Sequence, residues 1–272
     1  MAIRPRKPEK PLTKAEQADK EAAATGGSMP LTGHLKEMRN RIAVVLIAFV
    51  ACNVVLITRA QVIVGFLTDM GAAYGYTFIY ISPSELLLQQ FKAALTTSFI
   101  ICVPLILYEV FAFMKPGLTR KEKNGIRFGL LFGVGFFALG AFFAYKVVLP
   151  FMLQFLIKQG QGTDYVASVS IANYISFLLL IFTIFGFIFE MPLVSVILSR
   201  LGILTPKIMR KIRGGAIVAI FVVAAIITPP DIFSQIMVGV PMVALYELSI
   251  GLSILFQRRR KDAEAEETEE DE

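Results

Sequence analysis

The chain has 272 residues, of which 56% are hydrophobic and 18% charged, and its formal net charge is +6. The apolar residues stand in long blocks that water would not tolerate, which excludes a soluble globular domain and makes a bilayer the solvent. Lys and Arg fall between those blocks and form no single patch with interleaved aromatics, which argues against nucleic acid as a partner.

In chain order, residues 1–28 hold many charges and few large apolar side chains, the composition of a disordered extension. Charges continue through residue 41 and no small-residue cleavage pattern follows an apolar core, so no cleavable signal peptide is expected. The stretch "HLKEMRNR", His34 to Arg41, then sets Glu37 amid Lys36, Arg39 and Arg41 at the edge of the first apolar run. At roughly 20 apolar residues per crossing, six spans are expected. They are Ile42 to Thr58, about Glu85 to Met114, about Gly125 to Leu149, about Ala172 to Leu198, Gly214 to Ile227 and about Phe233 to Phe256.

Nine Lys and Arg precede the first span. Basic clusters recur after the second span (Lys115, Arg120, Lys121, Lys123), after the fourth (Arg200, Lys207, Arg210, Lys211, Arg213) and in the tail (Arg258 to Lys261). The other three connections hold only Arg59 and Lys158. Short basic loops stay in the cytoplasm, so both termini are expected there. The expected fold class is an all-α integral membrane protein of six transmembrane helices. Its membrane domain, 29–257, lies between the N-terminal extension and a basic, then acidic, disordered tail at 258–272.

The connections are too short for a soluble domain. The first, Arg59 to Ser84, spaces Val62, Ile63, Phe66, Leu67 and Met70 on one helical face, as an interfacial amphipathic helix would. It leads into Ser82-Pro83-Ser84-Glu85, with Ser82 at the cap, Pro83 at the first helical position and Glu85 at the third: a capping box. Capping is the favoured role for Glu85 over that of a ligand. Between the last two spans, Pro229 and Pro230 stop one helix and Asp231 caps the next in a tight turn, with a contact role for Asp231 as the alternative.

Ionisable residues at membrane depth are the candidate functional groups. Glu190 in "FGFIFEMP" stands inside the fourth span beside Pro192, where a charge costs at least a few kcal/mol unless paired, hydrated or protonated. A functional carboxylate and a structural partner for Lys92 are both open readings. Lys92, two turns into the second span, either pairs or snorkels. Glu109 and Glu247 lie towards the cytoplasmic ends of their spans, where interfacial placement accounts for them. His34 is the one histidine, and Cys52 and Cys102 lack metal or redox spacing, so no metal site is expected. Nothing supplies a catalytic constellation or calls for a cofactor, so the chain is not read as an enzyme.

"HLKEMRNR", "SPSE", "FAFMKPGLTRKEK", "FGFIFEMP" and "TPPDIFSQ...VPMVALYE" occur in an order, spacing and topological position that resemble TatC, the multi-spanning C subunit of the twin-arginine protein translocase. The resemblance covers about residues 30 to 256, with Met38 where Leu is commoner. It implies a curved, cup-like helical wall in a bacterial-type cell membrane. It also implies a receptor for the twin-arginine signal peptides of folded cargo, in which Glu37, Arg39 and Glu122 bind the peptide. From the residues alone, Glu37 reads first as a neutraliser of Arg41 one turn away and Glu122 as a solvated loop charge; it is the resemblance that turns both towards binding. The family further implies recruitment of TatA-type single-span subunits, a homo-oligomer within the translocase and drive by the proton-motive force. The fifth span is short, about 21 Å against a core of about 30 Å, so it and the sixth would form a thinned edge where a TatA-type helix docks near Thr228 and Gln235. A small proton-coupled secondary transporter carrying protons on Glu190 is the competing reading, although no duplicated halves are apparent.

Overall fold

The computed structural model describes residues 31–114, 125–159, 168–200, 203–228 and 231–270. Apolar blocks in a bilayer must satisfy their backbone internally, and here they do so as helices. The chain runs through α1 (Leu31–Ile57), α2 (Ala60–Ala72), β1 (Thr77–Ile79), α3 (Pro83–Met114) and α4 (Gly125–Phe143). A π-helical turn (Ala144–Val148), α5 (Leu149–Gln159), β2 (Ser168–Ser170), α6 (Ile171–Phe189) and α7 (Met191–Arg200) follow. The last elements are α8 (Pro206–Lys211), α9 (Arg213–Ile227) and α10 (Ile232–Glu270).

Five of the described helical segments are long and apolar enough to cross a membrane, and α9, with 15 residues, is the short sixth. The six-helix, all-α expectation therefore agrees with the fold. The third crossing is longer than its apolar core suggested, continuing through α5 to Gln159. Pro150 has no N–H for the carbonyl of Lys146, and the helix relaxes there into a π turn in which Leu149 N–H reaches the Ala144 carbonyl. The fourth crossing breaks at Glu190, the turn residue between α6 and α7, just before Pro192. The α10 backbone stays helical well beyond Phe256.

Cross-helix contacts fix the direction of each crossing. Arg41 meets Glu109 while Asn53 meets Ser98, so α1 and α3 are antiparallel. A Cβ at Gly133 would touch Leu193 and one at Gly140 would touch Phe185, so α4 runs against α6 and α7. Arg213 pairs with Glu247 and Gln235 with Phe221, which makes α9 and α10 antiparallel. The start of α1 and the end of α10 thus share one side, here the terminal side; the connections around α2 and β2 lie on the distal side.

The core centres on α6, which buries Tyr174, Ile175, Leu178, Ile181 and Phe185. By contrast, α1 buries none of its described side chains and packs chiefly against α3. On the distal side, β1 and β2 pair in parallel, Thr77 opposite Ser168 and Ile79 opposite Ser170. The apolar stripe expected on α2 is divided by the packing of the helix. Its buried face is Ala60, Val64, Leu67 and Gly71, whereas Val62 and Phe66 are exposed. Of the expected stripe, Leu67 is buried and Ile63 and Met70 pack against the core, while Gln61 and Asp69 stand exposed on the opposite flank.

Candidate functional site

Glu37 and Arg41 are one helical turn apart and share the face of α1 that meets the C-terminal end of α3. Arg41 Nε and Nη2 both donate to Glu37 Oε1, the first at 3.1 Å. Its Nη1 donates to Glu109 Oε2 at 2.8 Å and Nη2 reaches the Ala112 carbonyl at 3.2 Å. Glu109 is the more enclosed carboxylate, at 13% side-chain exposure against 24% for Glu37. One guanidinium therefore ties two carboxylates and an α3 carbonyl together, leaving the trio with a net negative charge. Glu37 Oε2 is shielded from solvent yet has no hydrogen-bond partner among the described residues. Arg39 is exposed beside the trio, and Glu122 lies outside the described residues. The interfacial placement expected for Glu109 missed its partner, because the long connection between the first two spans conceals which residues of α1 and α3 come opposite each other.

Glu190 is 7% exposed, and neither carboxylate oxygen has a hydrogen-bond partner among the described residues. Its Oε2 would lie 3.5 Å from a Cβ at Gly133, where Leu107 and Leu193 also converge. An ionised carboxylate in that apolar wall costs several kcal/mol unless a proton, water or an incoming donor satisfies it. The pairing with Lys92 is not made. Lys92 instead donates to Ser176 Oγ at 3.3 Å, and Ser176 in turn donates to Gln89. Glu190 adjoins Leu107, about 22 Å further along α3 than Lys92 at the helical rise.

Glu85 does more than cap its own helix. Its Oε2 accepts from Ile81 N at 2.8 Å and Ser82 N at 3.4 Å, while Oε1 accepts from Ser170 Oγ and from Ala172 N at 2.9 Å. One carboxylate thereby joins the N-termini of α3 and α6. The other half of the expected capping box is absent: Ser82 Oγ bonds Ser84 Oγ, and Glu85 N donates to the Ser82 carbonyl. Pro83 opens α3 as expected. Asp231 caps α10, accepting from Ser234 N at 2.7 Å, while Pro229 and Pro230 lie outside the described residues.

The polar groups expected to receive a partner helix are engaged within the chain. Thr228 is 6% exposed and donates to the Ala224 carbonyl, and Gln235 donates to the Phe221 carbonyl at 3.0 Å. The hydroxyl proton of Thr228 is therefore already engaged inside the chain. Arg213 Nε stands 2.6 Å from Glu247 Oε1 at the terminal end of the same helix pair.

Comparison with known proteins gives the same picture. The family described as "Sec-independent protein translocase protein (TatC)" matches residues 33–241. The protein of that name from Aquifex aeolicus (strain VF5) is 37% identical over 238 residues, covering 86% of this chain and 98% of the relative. TatCy of Bacillus subtilis (strain 168) is 32% identical over 237 residues, 87% of this chain and 93% of the relative. A crystal structure described as the twin arginine translocase receptor TatC is similar at a TM-score of 0.74 and 36% identity. It covers 82% of this chain and 99% of that one. With five long apolar crossings, a short sixth and these matches over most of its length, this chain belongs to the TatC family and is a multi-pass subunit of the twin-arginine protein translocase.

Proposed function

We propose that this subunit receives signal peptides bearing two adjacent arginines at Glu37, with Glu122 and Arg39 completing the site on a cytoplasmic face. The observation that carries the reading is the uneven use of Glu37: Arg41 holds Oε1, whereas Oε2 has no partner among the described residues. A peptide guanidinium forks onto both oxygens of a carboxylate, which a lysine ammonium cannot copy. As it does so, Arg41 lets go of Glu37 but keeps Glu109 and the Ala112 carbonyl, so no cation is stranded. Glu122, in the basic connection after α3, takes the second arginine. The surrounding Lys and Arg repel a basic peptide at long range, so these carboxylates set where it lands.

The distribution of Lys and Arg supports cytoplasmic termini in the cell membrane. The subunit works by binding, and its partners are further copies of itself and TatA-type single-span subunits, with the proton-motive force as drive. The TatA-type helix docks along α9 and α10. At 15 residues, α9 is about 22 Å long against a core of about 30 Å, and a short partner span shares the thinned lipid. Its exposed Val218, Val222 and Ile226 supply the contact face. Gln235 Nε2 donates to the Phe221 carbonyl, and its Oε1 is the acceptor offered to an incoming donor. The family assignment leaves a solute transporter built on Glu190 without support.

Binding of labelled twin-arginine and twin-lysine peptides to the full chain in nanodiscs tests the receptor reading. Wild type should prefer the twin-arginine peptide, and Glu37→Gln and Glu122→Gln should each erase much of that preference. Equal affinity for both peptides in wild type would overturn it.

A further inference from the structure

We propose that Lys146, Tyr145 and Phe66 form a binding site for the phosphate of an anionic phospholipid at the distal surface of the bilayer. Lys146 is an exposed cation inside the long apolar crossing Gly129–Gln159. It lies about 26 Å along the helix from Gly129, close to the full depth of a core of about 30 Å. Arg59 at the end of α1 and Lys92 on α3, about 36 Å from Leu35 and about 33 Å from Met114, come to a similar level. Lysine at this depth carries its ammonium out to the headgroups along its own stem.

The three basic residues are not equivalent. Lys92 is spent on Ser176, and Arg59 stands at the helix corner where α1 turns into α2. Lys146 is held within an aromatic frame. Its Nζ lies 5.0 Å from the Tyr145 ring centroid, and that ring stacks on Phe66 with centroids 5.7 Å apart and planes 22° apart. Phe66 belongs to the outward face of α2, 53% exposed, so the frame opens towards lipid.

The π turn sets this arrangement, because it carries Tyr145 and Lys146 through the widened part of the helix ahead of Pro150. The frame offers a cation for a phosphate oxygen, a phenol O–H as a second donor, and two ring faces for glycerol and the first acyl carbons. A zwitterionic headgroup brings its own ammonium towards Lys146 and is repelled, whereas an anionic headgroup is not. The selected ligand is therefore an acidic phospholipid.

The chain contains no tryptophan, so Phe66→Trp introduces a unique reporter at an exposed position and keeps Tyr145 and Lys146. The full-length variant is reconstituted in phosphatidylcholine vesicles containing a minor fraction of brominated phosphatidylglycerol or brominated phosphatidylcholine. The anionic quencher should be enriched about fivefold over the zwitterionic one, from about 1 kcal/mol per basic residue at the surface. Adding Lys146→Gln should bring the two quenchers level. Equal quenching with Lys146 present, or a preference that survives Lys146→Gln, would overturn the proposal. So would loss of the preference on adding millimolar inorganic phosphate, which would make the ligand a soluble anion. Val62→Trp, one turn away on the exposed side of α2, leaves Phe66, Tyr145 and Lys146 intact and should give the same ratio if Phe66→Trp disturbs the frame.

Discussion

Glu109→Gln separates a fixed Arg41 clamp from one that can be exchanged. In the resting chain Arg41 serves Glu37 and Glu109 together. A peptide arginine that takes Glu37 costs little if Arg41 can remain on Glu109. With glutamine there, Arg41 keeps only neutral acceptors, and charge-assisted hydrogen bonds are roughly twice as strong as neutral ones. Arg41 and Glu109 are both well shielded, at 26% and 13% side-chain exposure. Their bond therefore falls in the range of about 1.5–3 kcal/mol for a hydrogen bond to a charged group. Losing half or more of it at the moment of handover raises the cost of peptide binding by about 1–2 kcal/mol, which is about 5- to 30-fold in Kd. Fluorescence anisotropy of a labelled twin-arginine peptide, titrated with the full chain in nanodiscs, reads this directly. Added to Glu37→Gln, the same substitution should change little, because no handover remains. Unchanged or tighter binding by Glu109→Gln alone would refute the exchange.

Three further outcomes follow from the packing. Glu190→Gln keeps shape but cannot ionise, so the variant should insert and melt like wild type while losing most cargo translocation in a vesicle assay; full translocation would reduce Glu190 to a neutral hydrogen-bonding group. Gly140→Ala places a Cβ 2.6 Å from the Phe185 carbonyl oxygen and should destabilise by about 1–3 kcal/mol in a detergent melt. Gly135→Ala, with nothing within 4 Å, should be neutral or stabilising by up to about 1 kcal/mol.

The crossings were legible because hydropathy acts over twenty residues at a time and tolerates local exceptions. The π turn was not legible, because Pro150 removes one donor and only the packed neighbours decide whether the helix kinks, stops or widens. On α2 the apolar stripe was legible but its division between buried and exposed residues was not, for a related reason. A stripe of Val, Phe and Leu reports that water is absent but does not say whether protein or lipid is present. In a soluble protein the polar face would have settled the matter. Here the small residues Ala60 and Gly71 mark the protein side. A Cβ at Gly71 would meet the Tyr174 hydroxyl at 2.6 Å and its ring at 2.8 Å, a closeness that only the folded chain reveals.

Partner choice among the charges divides along the same line between local and distant information. Glu37 and Arg41 could be paired from sequence because a helix places residues four apart on one face. Glu85 reads as a local cap for the same reason, but its second oxygen caps α6, 85 residues and more further on, which no local rule contains. Glu109 is the decisive case. It reads as an unremarkable charge near a helix end, yet it gives Arg41 a second carboxylate. A basic face with only Glu37 would have to strip its own arginine of a partner in order to bind another. With Glu109 present, the proposed receptor face can exchange one guanidinium for another without leaving either unpaired, and on that proposal recognition of arginine is a substitution within an existing pair.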